Sequence, residues 1–155
     1  MGETPKLHYS VRMDLGALLE KSGAILTGHF LLTSGRHSNV YFEKFRVLER
    51  PDVLSALCTE IASHFSKSEF DLVAGPTTGG IIIAFEVARQ VGVQAVYVES
   101  ENGLKTLRRG AQIPPGARVL VVDDVLTTGK SVFETLEVVK SAGGIPNGVG
   151  VLIDR

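Results

Sequence analysis

Apolar residues recur along the chain in two spacings, one typical of helices and one typical of strands. In residues 11–22 they return every three or four positions, which predicts an amphipathic helix that Gly23 would end. Two short β-rich pieces flank residues 34–35, and Pro51 would begin a second helix with apolar positions up to Phe65. The first part of the chain is therefore predicted to mix helix and strand.

From residue 70 onwards the pattern becomes regular. Short apolar runs rich in β-branched residues lie at residues 70–75, 93–99, 118–124 and 148–154. Helices or a polar loop separate them, and the helices are predicted at residues 81–91 and from about 132 to 140. Apolar strands that alternate with helices indicate a parallel sheet covered on both faces. We therefore predict an α/β fold with a central, mostly parallel sheet flanked by helices.

Length and composition favour a single domain and restrict its partners. The chain has 155 residues, of which 44% are hydrophobic, and this size fits one globular domain. Its 16 Lys and Arg against 17 Asp and Glu give no basic surface for nucleic acid or a membrane, so neither partner is predicted. Cys58 is the only cysteine, and the N-terminal sequence has no signal-peptide pattern. These features predict a cytoplasmic protein.

A polar segment follows the apolar strand at residues 119–122, at the end of the strand where open α/β sheets bind ligands. It opens with Asp123 and Asp124. It continues into the next helix through Val125, Leu126, Thr127, Thr128, Gly129, Lys130 and Ser131. Backbone N–H groups at a helix N-terminus, together with Thr and Ser hydroxyls, make a pocket for a phosphate group. Gly129 allows a positive φ, so the backbone can approach that phosphate closely.

The two acids suit a sugar next to this phosphate. Adjacent carboxylates can accept hydrogen bonds from both ribose hydroxyls and help to hold a hard cation. A Walker A loop is a poor alternative, because it requires Gly where Asp124 stands. Two structural interpretations stay open: the acid pair could be simply solvated, and Ser131 with Glu134 could form a capping box that only begins the helix.

The run D-D-V-L-T-T-G-x-S at residues 123–131 resembles the signature of the type I phosphoribosyltransferases. The resemblance implies the type I phosphoribosyltransferase fold, with residues 1–155 as a single domain. It also implies an N-terminal hood over about residues 1–50, and a core over about residues 51–155 that binds 5-phosphoribosyl 1-diphosphate. The expected partners are then small molecules.

The same resemblance assigns roles within the site. It implies that Asp123 and Asp124 bind the ribose hydroxyls and Mg²⁺, the metal largely through substrate or water, and that Asp124 is also catalytic. Residues 125–131 would bind the 5-phosphate. A second loop opens a helix directly after an apolar strand and resembles the diphosphate-binding loop of the family. Its residues are Thr77, Thr78 and Gly79.

A third segment, residues 99–115, is polar and too long for a tight turn between strands. It resembles the mobile catalytic loop of the family, which often closes over the site of a partner subunit. The resemblance therefore implies a homodimer and catalytic roles for Lys105, Arg108 and Arg109. The alternative is that these three cations belong to a solvated, charged loop.

The hood and the last residue indicate the acceptor base. Residues 30–42 are similar to the orotate phosphoribosyltransferase pattern F-x-L-x-S-G-x-x-S-x-x-Y. That resemblance implies that Tyr41 and Phe42 pack beside a planar base, that Thr127 contacts it, and that Arg155 binds the carboxylate of orotate.

We therefore interpret the sequence as that of an orotate phosphoribosyltransferase, which converts phosphoribosyl diphosphate and orotate to orotidine 5′-monophosphate and pyrophosphate. Two alternatives remain. A phosphoribosyltransferase for a purine or uracil would share the sugar-phosphate loop. A catalytically silent regulator would bind phosphoribosyl diphosphate without transferring its sugar.

Overall fold

The computed structural model describes residues 14–155, and the start of the helix predicted over residues 11–22 lies outside them. The helices are α1 (Leu15–Ser22), α2 (Phe45–Leu48), α3 (Pro51–His64), α4 (Gly79–Val91) and α5 (Lys130–Ser141). The strands are β1 (Ile25–Leu31), β2 (His37–Phe42), β3 (Leu72–Pro76), β4 (Gln94–Glu101), β5 (Leu104–Leu107), β6 (Arg118–Leu126) and β7 (Ile145–Asp154). None of the helices in this part of the chain has the length and apolar character needed to cross a membrane.

A five-stranded sheet in the order β5-β4-β3-β6-β7 forms the centre of the fold. Strand β3 pairs in parallel with β4 and β6, and β6 pairs in parallel with β7. Only β5, at one edge, runs antiparallel to its neighbour β4. All five residues of β3 are buried, as expected for a central parallel strand. The predicted α/β architecture with a mostly parallel sheet is confirmed.

Two apolar clusters cover the two faces of this sheet. On one face, α4 packs on β3, β4 and β6, and α3 packs beside it on α4 and the edge strand β7. Ile83 and Val87 of α4 are fully buried in that cluster. On the other face, α5 packs on β6 and β7 through Val132 and Val139. Strands β3 and β6 are neighbours from which the chain continues to opposite sides of the sheet. Their following loops therefore flank a crevice of the kind that binds ligands in open α/β sheets.

A separate two-stranded sheet, β1 with β2, precedes this core. It begins at Ile25, before the β-rich sequence that starts at His29, and it is followed by the short helix α2, which the pattern did not predict. The backbone N–H of Glu43 donates to the carbonyl of Ala24 at 2.8 Å, and Val47 and Leu48 are buried. These contacts fix the end of the hairpin against the core.

The prediction that residues 99–115 form a long polar loop, with no tight turn between strands, is wrong for the first half of the segment. Strand β4 continues to Glu101, turns at Asn102 and Gly103, and pairs with β5 as an antiparallel hairpin. Both turn residues have a positive φ, 52° and 78°, which is the backbone that an Asn-Gly hairpin turn requires. The Asn-Gly pair is the local sequence signal for this turn, and it is a better guide here than the length of the segment.

Glu86 joins α3 to α4 through charged hydrogen bonds. Its carboxylate accepts from Arg89 Nε and Gln90 Nε2, both at 2.8 Å, and from Ser55 Oγ of α3 at 2.9 Å. The bonds from Arg89, which outweigh the opposing effect of burial, lower the pKa of Glu86 to about 2 from an ordinary 4.5. A lowered folded-state pKa means that this stabilisation is present above pH 4.5 and is lost as the pH falls towards 2.

We predict that Glu86→Gln destabilises the protein at neutral pH by about 1–2 kcal/mol, since it weakens hydrogen bonds to a charged group. The variant should also lose less of its remaining stability than the wild type as the pH falls below 4.5. Urea unfolding at several pH values measures both effects. Glu137→Gln is the control, because Glu137 makes a solvent-exposed pair with Lys140. Equal pH profiles for the Glu86 variant and the wild type would contradict the prediction.

Candidate active site

The acid pair lies near the end of β6 and is largely buried. Asp123 is 5% exposed and Asp124 is 7% exposed. Asp123 Oδ1 accepts from the N–H of Asp124 at 2.8 Å, and Asp124 Oδ1 accepts from the N–H of Val125 at 2.7 Å. Burial raises the pKa of Asp123, and the neighbouring charge of Asp124 adds to this, although the N–H bond opposes both. The buried, hydrogen-bonded geometry argues against a pair that is simply solvated.

The loop after β3 packs directly on this acid pair. The N–H of Thr77 donates to the carbonyl of Val98 at 2.9 Å, which holds the loop against β4. A Cβ on Gly79 would lie 2.1 Å from Asp124 Oδ2, so any side chain there would collide with the carboxylate. Glycine is needed at this position because the backbone of the loop lies directly against the Asp124 carboxylate. Helix α4 begins at Gly79, two residues earlier than predicted.

The predicted phosphate loop turns from β6 into α5 at Gly129, which has φ 80°. Helix α5 starts at Lys130, whose N–H donates to Thr128 Oγ1 at 3.3 Å, and the side chains of Thr127 and Thr128 are exposed. The N–H groups of the first helical turn have no partners within their own helix, so they are donors for an anion. The capping-box alternative for Ser131 is wrong, because Gly129 is the N-cap and Ser131 lies inside the first turn.

Arg155 reaches the same edge of the sheet as this loop. Its N–H donates to the carbonyl of Leu126 at 2.9 Å, and Asp154 stands opposite Leu126 in the register of β7 with β6. Because Thr127 follows Leu126 directly, the structure brings Arg155 and Thr127, two of the four residues predicted to contact the base, beside each other. The two residues are far apart in sequence, so no local pattern predicts that they are neighbours. The parallel pairing of β6 with β7 brings them together.

The aromatic pair of the hood divides between two environments. Tyr41 and Phe42 are consecutive in β2, so their side chains point to opposite faces of the hairpin. Phe42 packs against the main apolar cluster, whereas the ring of Tyr41 lies 5.5 Å from the ring of Phe30. The two side chains therefore have different surroundings, and their packing beside the base stays a prediction.

The three cations predicted for the catalytic loop lie on or just after the β4–β5 hairpin. Arg109 Nε contacts Glu99 Oε2 at 3.1 Å, and Arg108 Nη2 contacts Glu101 Oε1 at 3.5 Å. Lys105 lines a groove of about 650 Å³ between β5 and α5. Within residues 14–155, no ion pair joins any of the three to the acid pair. The structure therefore brings the loop after β3, the loop after β6 and the backbone of Arg155 to the end of the sheet that carries the acids. The hairpin cations belong to the other edge of the sheet, where β5 lies.

Lys44 is a residue of this site that the sequence reasoning missed. Its Nζ lies 2.8 Å from Asp124 Oδ2, and it belongs to the segment between β2 and α2. The contact spans 80 positions of sequence, so no local pattern predicts it. The only available signal is a cation placed shortly after Tyr41 in the predicted hood.

Comparison with known proteins agrees with this geometry. A family model described as the phosphoribosyl transferase domain matches residues 51–155. The orotate phosphoribosyltransferase of Pelotomaculum thermopropionicum is 53% identical over 93% of this chain and 76% of its own length. That of Chlorobium phaeobacteroides is 49% identical over 89% of this chain and 72% of its own length.

Solved structures give the same result for the fold. The crystal structure of orotate phosphoribosyltransferase from Aeropyrum pernix has a TM-score of 0.80 and 34% identity, covering 91% of this chain and 81% of that one. Adenine phosphoribosyltransferase from Saccharomyces cerevisiae reaches a TM-score of 0.70 at 17% identity, over 90% of this chain and 89% of that one, and this likeness shows the fold alone. The chain belongs to the phosphoribosyltransferase family, and within it to the orotate phosphoribosyltransferases.

Proposed function

We propose that this chain transfers the 5-phosphoribosyl group of 5-phosphoribosyl 1-diphosphate to orotate, giving orotidine 5′-monophosphate and pyrophosphate. One observation carries the proposal. Asp124 lies directly against Gly79 at the start of α4, and the chain runs from Asp124 into the N-terminus of α5 within a few residues. A ribose with one phosphate at C5 and a diphosphate at C1 needs this arrangement: hydroxyl acceptors in the middle and an anion pocket on each side.

The substrate would occupy these parts in a single orientation. Residues 127–131 would bind the 5-phosphate through backbone N–H groups and hydroxyls, and Asp123 and Asp124 would accept the ribose hydroxyls. The loop of Thr77, Thr78 and Gly79 would take the diphosphate at the N-terminus of α4. Because the substrate is held at its 5-phosphate and at its diphosphate, C1 of the ribose is fixed in front of the base pocket.

The base pocket is assigned by charge and position. Orotate carries a carboxylate, and Arg155 offers a planar guanidinium at the edge of the sheet that also holds Thr127. Tyr41 remains the hood aromatic for packing beside the base, since Phe42 faces the core. A base without a carboxylate would leave Arg155 without its partner, and this argues for orotate over a purine or uracil.

The reaction exchanges one bond at C1. The bond from C1 to the diphosphate oxygen breaks and its electron pair leaves with pyrophosphate. N1 of orotate forms the new bond to C1 and releases its proton, which the departing pyrophosphate can accept. Positive charge develops on the ribose ring between these events, so catalysis rests on positioning, on neutralising the departing diphosphate, and on excluding water. Lys105, Arg108 and Arg109 are the cations proposed for the leaving group, brought to it by movement of the hairpin. No side chain need act as a nucleophile.

Mg²⁺ is the proposed cofactor, and the donor set fits it. Two carboxylates at the strand end offer hard oxygen ligands, and substrate oxygens and water would complete the coordination. Among residues 14–155 no group of three metal-ligating side chains occurs, so the ion would depend on the substrate for binding. It would neutralise charge on the diphosphate, while Asp123 and Asp124 orient the ribose.

We propose a homodimer in the cytoplasm as the working form. Two apolar side chains on the outer face of α4 support the dimer, because Ile82 is 37% exposed and Phe85 is 58% exposed. A second copy would cover them and could lend its hairpin cations to this site. Light scattering decides between dimer and monomer. The free thiol of Cys58 is compatible with a reducing compartment.

The function is tested by pyrophosphate release with a panel of acceptors. We expect release with orotate and Mg²⁺, loss of release when the metal is chelated, and recovery when Mg²⁺ is added back. Release with adenine, hypoxanthine, xanthine or uracil but none with orotate would assign another base. Binding of phosphoribosyl diphosphate with no release for any base would make the chain a silent regulator.

A further inference from the structure

We propose that Lys44 is a substrate-binding cation of this site, which contacts the diphosphate of phosphoribosyl diphosphate and is positioned for that contact by Asp124. The inference rests on the proposed function. It assigns to the hood a residue that binds the sugar diphosphate, in addition to the side chain that packs beside the base.

The position of the ammonium group is the first argument. Lys44 Nζ lies 2.8 Å from Asp124 Oδ2, and the same oxygen would lie 2.1 Å from a Cβ on Gly79. One carboxylate oxygen therefore separates the ammonium from the first residue of α4. The ammonium therefore lies close to the start of α4, whose first N–H groups are the proposed binding site of the diphosphate.

Charge is the second argument. Asp123 and Asp124 are adjacent and buried, so they would repel a substrate that carries several negative charges. Among the described residues, Lys44 is the cation that forms an ion pair with either acid. An ammonium has three donors, and the single contact with Asp124 uses one of them. The lysine side chain is 40% exposed, so its other donors can reach a ligand.

The anchoring of Lys44 is the third argument. It occupies the N-cap position of α2, and this helix is fixed by the buried Val47 and Leu48. The ammonium also lies 5.7 Å from the centre of the Phe45 ring. The backbone of Lys44 is thus held by the core, and its side chain crosses from the hood to the acid pair. A lysine on a mobile surface loop would not keep that direction.

Calorimetric titration with phosphoribosyl diphosphate and Mg²⁺ tests the proposal. We expect Lys44→Gln to weaken binding by about tenfold or more, as for the loss of one charged hydrogen bond to phosphate. Lys44→Arg should recover most of the affinity because it restores the charge. Lys140→Gln is the matched control, since Lys140 is an exposed lysine of α5 that pairs with Glu137. Its affinity should equal that of the wild type.

Steady-state kinetics adds a readout that a merely structural lysine would not change. Lys44→Gln should raise KM for phosphoribosyl diphosphate while KM for orotate changes less than about threefold. Unchanged or tighter binding of phosphoribosyl diphosphate by Lys44→Gln would overturn the proposal, even if the melting temperature falls. A wild type that binds this substrate but transfers its sugar to no base would contradict the proposed function alone. A wild type that does not bind it would contradict both.

Discussion

Asp124→Asn will lower kcat/KM for phosphoribosyl diphosphate by on the order of 100-fold while the protein stays folded. The replacement keeps the shape of the side chain and the bond from the N–H of Val125. It removes the negative charge that would accept a ribose hydroxyl, and it leaves Lys44 without its ion-pair partner. Hydrogen bonds to a charged group contribute about 1.5–3 kcal/mol, and the upper part of that range corresponds to the expected loss.

Initial rates of pyrophosphate release at varied phosphoribosyl diphosphate measure this loss, and circular dichroism checks the fold. Asp52→Asn is the matched control, because Asp52 lies in the first turn of α3 and pairs with Arg50 at the surface. Its kcat/KM should stay within about twofold of the wild type. If Asp124→Asn were as active as this control, the acid pair would not bind the ribose.

Gly79→Ala will abolish most of the activity by displacing the carboxylate of Asp124. The new methyl group would lie 2.1 Å from Asp124 Oδ2 and 2.8 Å from its Cγ, so either the side chain or the loop must move. Overpacking of this kind costs about 1–3 kcal/mol of stability, and the displaced acid should lower kcat/KM by on the order of 100-fold. Thermal melting and initial rates measure the two effects.

Gly16→Ala is the control for Gly79→Ala, because Gly16 lies within the helix α1 and the nearest neighbour of its added Cβ is Asp14 Oδ1 at 3.3 Å. It should change activity less than about twofold. A Gly79→Ala variant with wild-type kinetics would show that the loop after β3 does not lie against the Asp124 carboxylate in solution.

The parts of the fold that the sequence predicted are those with a local cause. The runs at residues 70–75 and 118–124 are mostly apolar because β3 and β6 are buried. Their burial can therefore be predicted from the sequence without any tertiary information. The phosphate loop is equally local. A strand, an acid pair, a glycine and a helix start follow one another within 14 residues, from Arg118 to Ser131. Both predictions depended on neighbours in sequence alone.

The errors have physical reasons of a different kind. The β4–β5 hairpin was mistaken for a loop because the length and polarity of the segment outweighed the Asn102–Gly103 turn signal. The packing of Phe42 against the core was not predicted, because it depends on where the hairpin lies as well as on strand alternation. Lys44 was missed because its partner is distant in sequence, and only the packing of the hood on the core brings the two together.

A crystal structure with orotidine 5′-monophosphate bound tests the central claim most directly. We predict that its 5′-phosphate lies within hydrogen-bond distance of backbone N–H groups of residues 127–131, and that its ribose hydroxyls contact Asp123 and Asp124. The carboxylate of the base should face Arg155. A phosphate bound elsewhere, for example in the groove between β5 and α5, or a ribose turned away from both acids, would contradict the account.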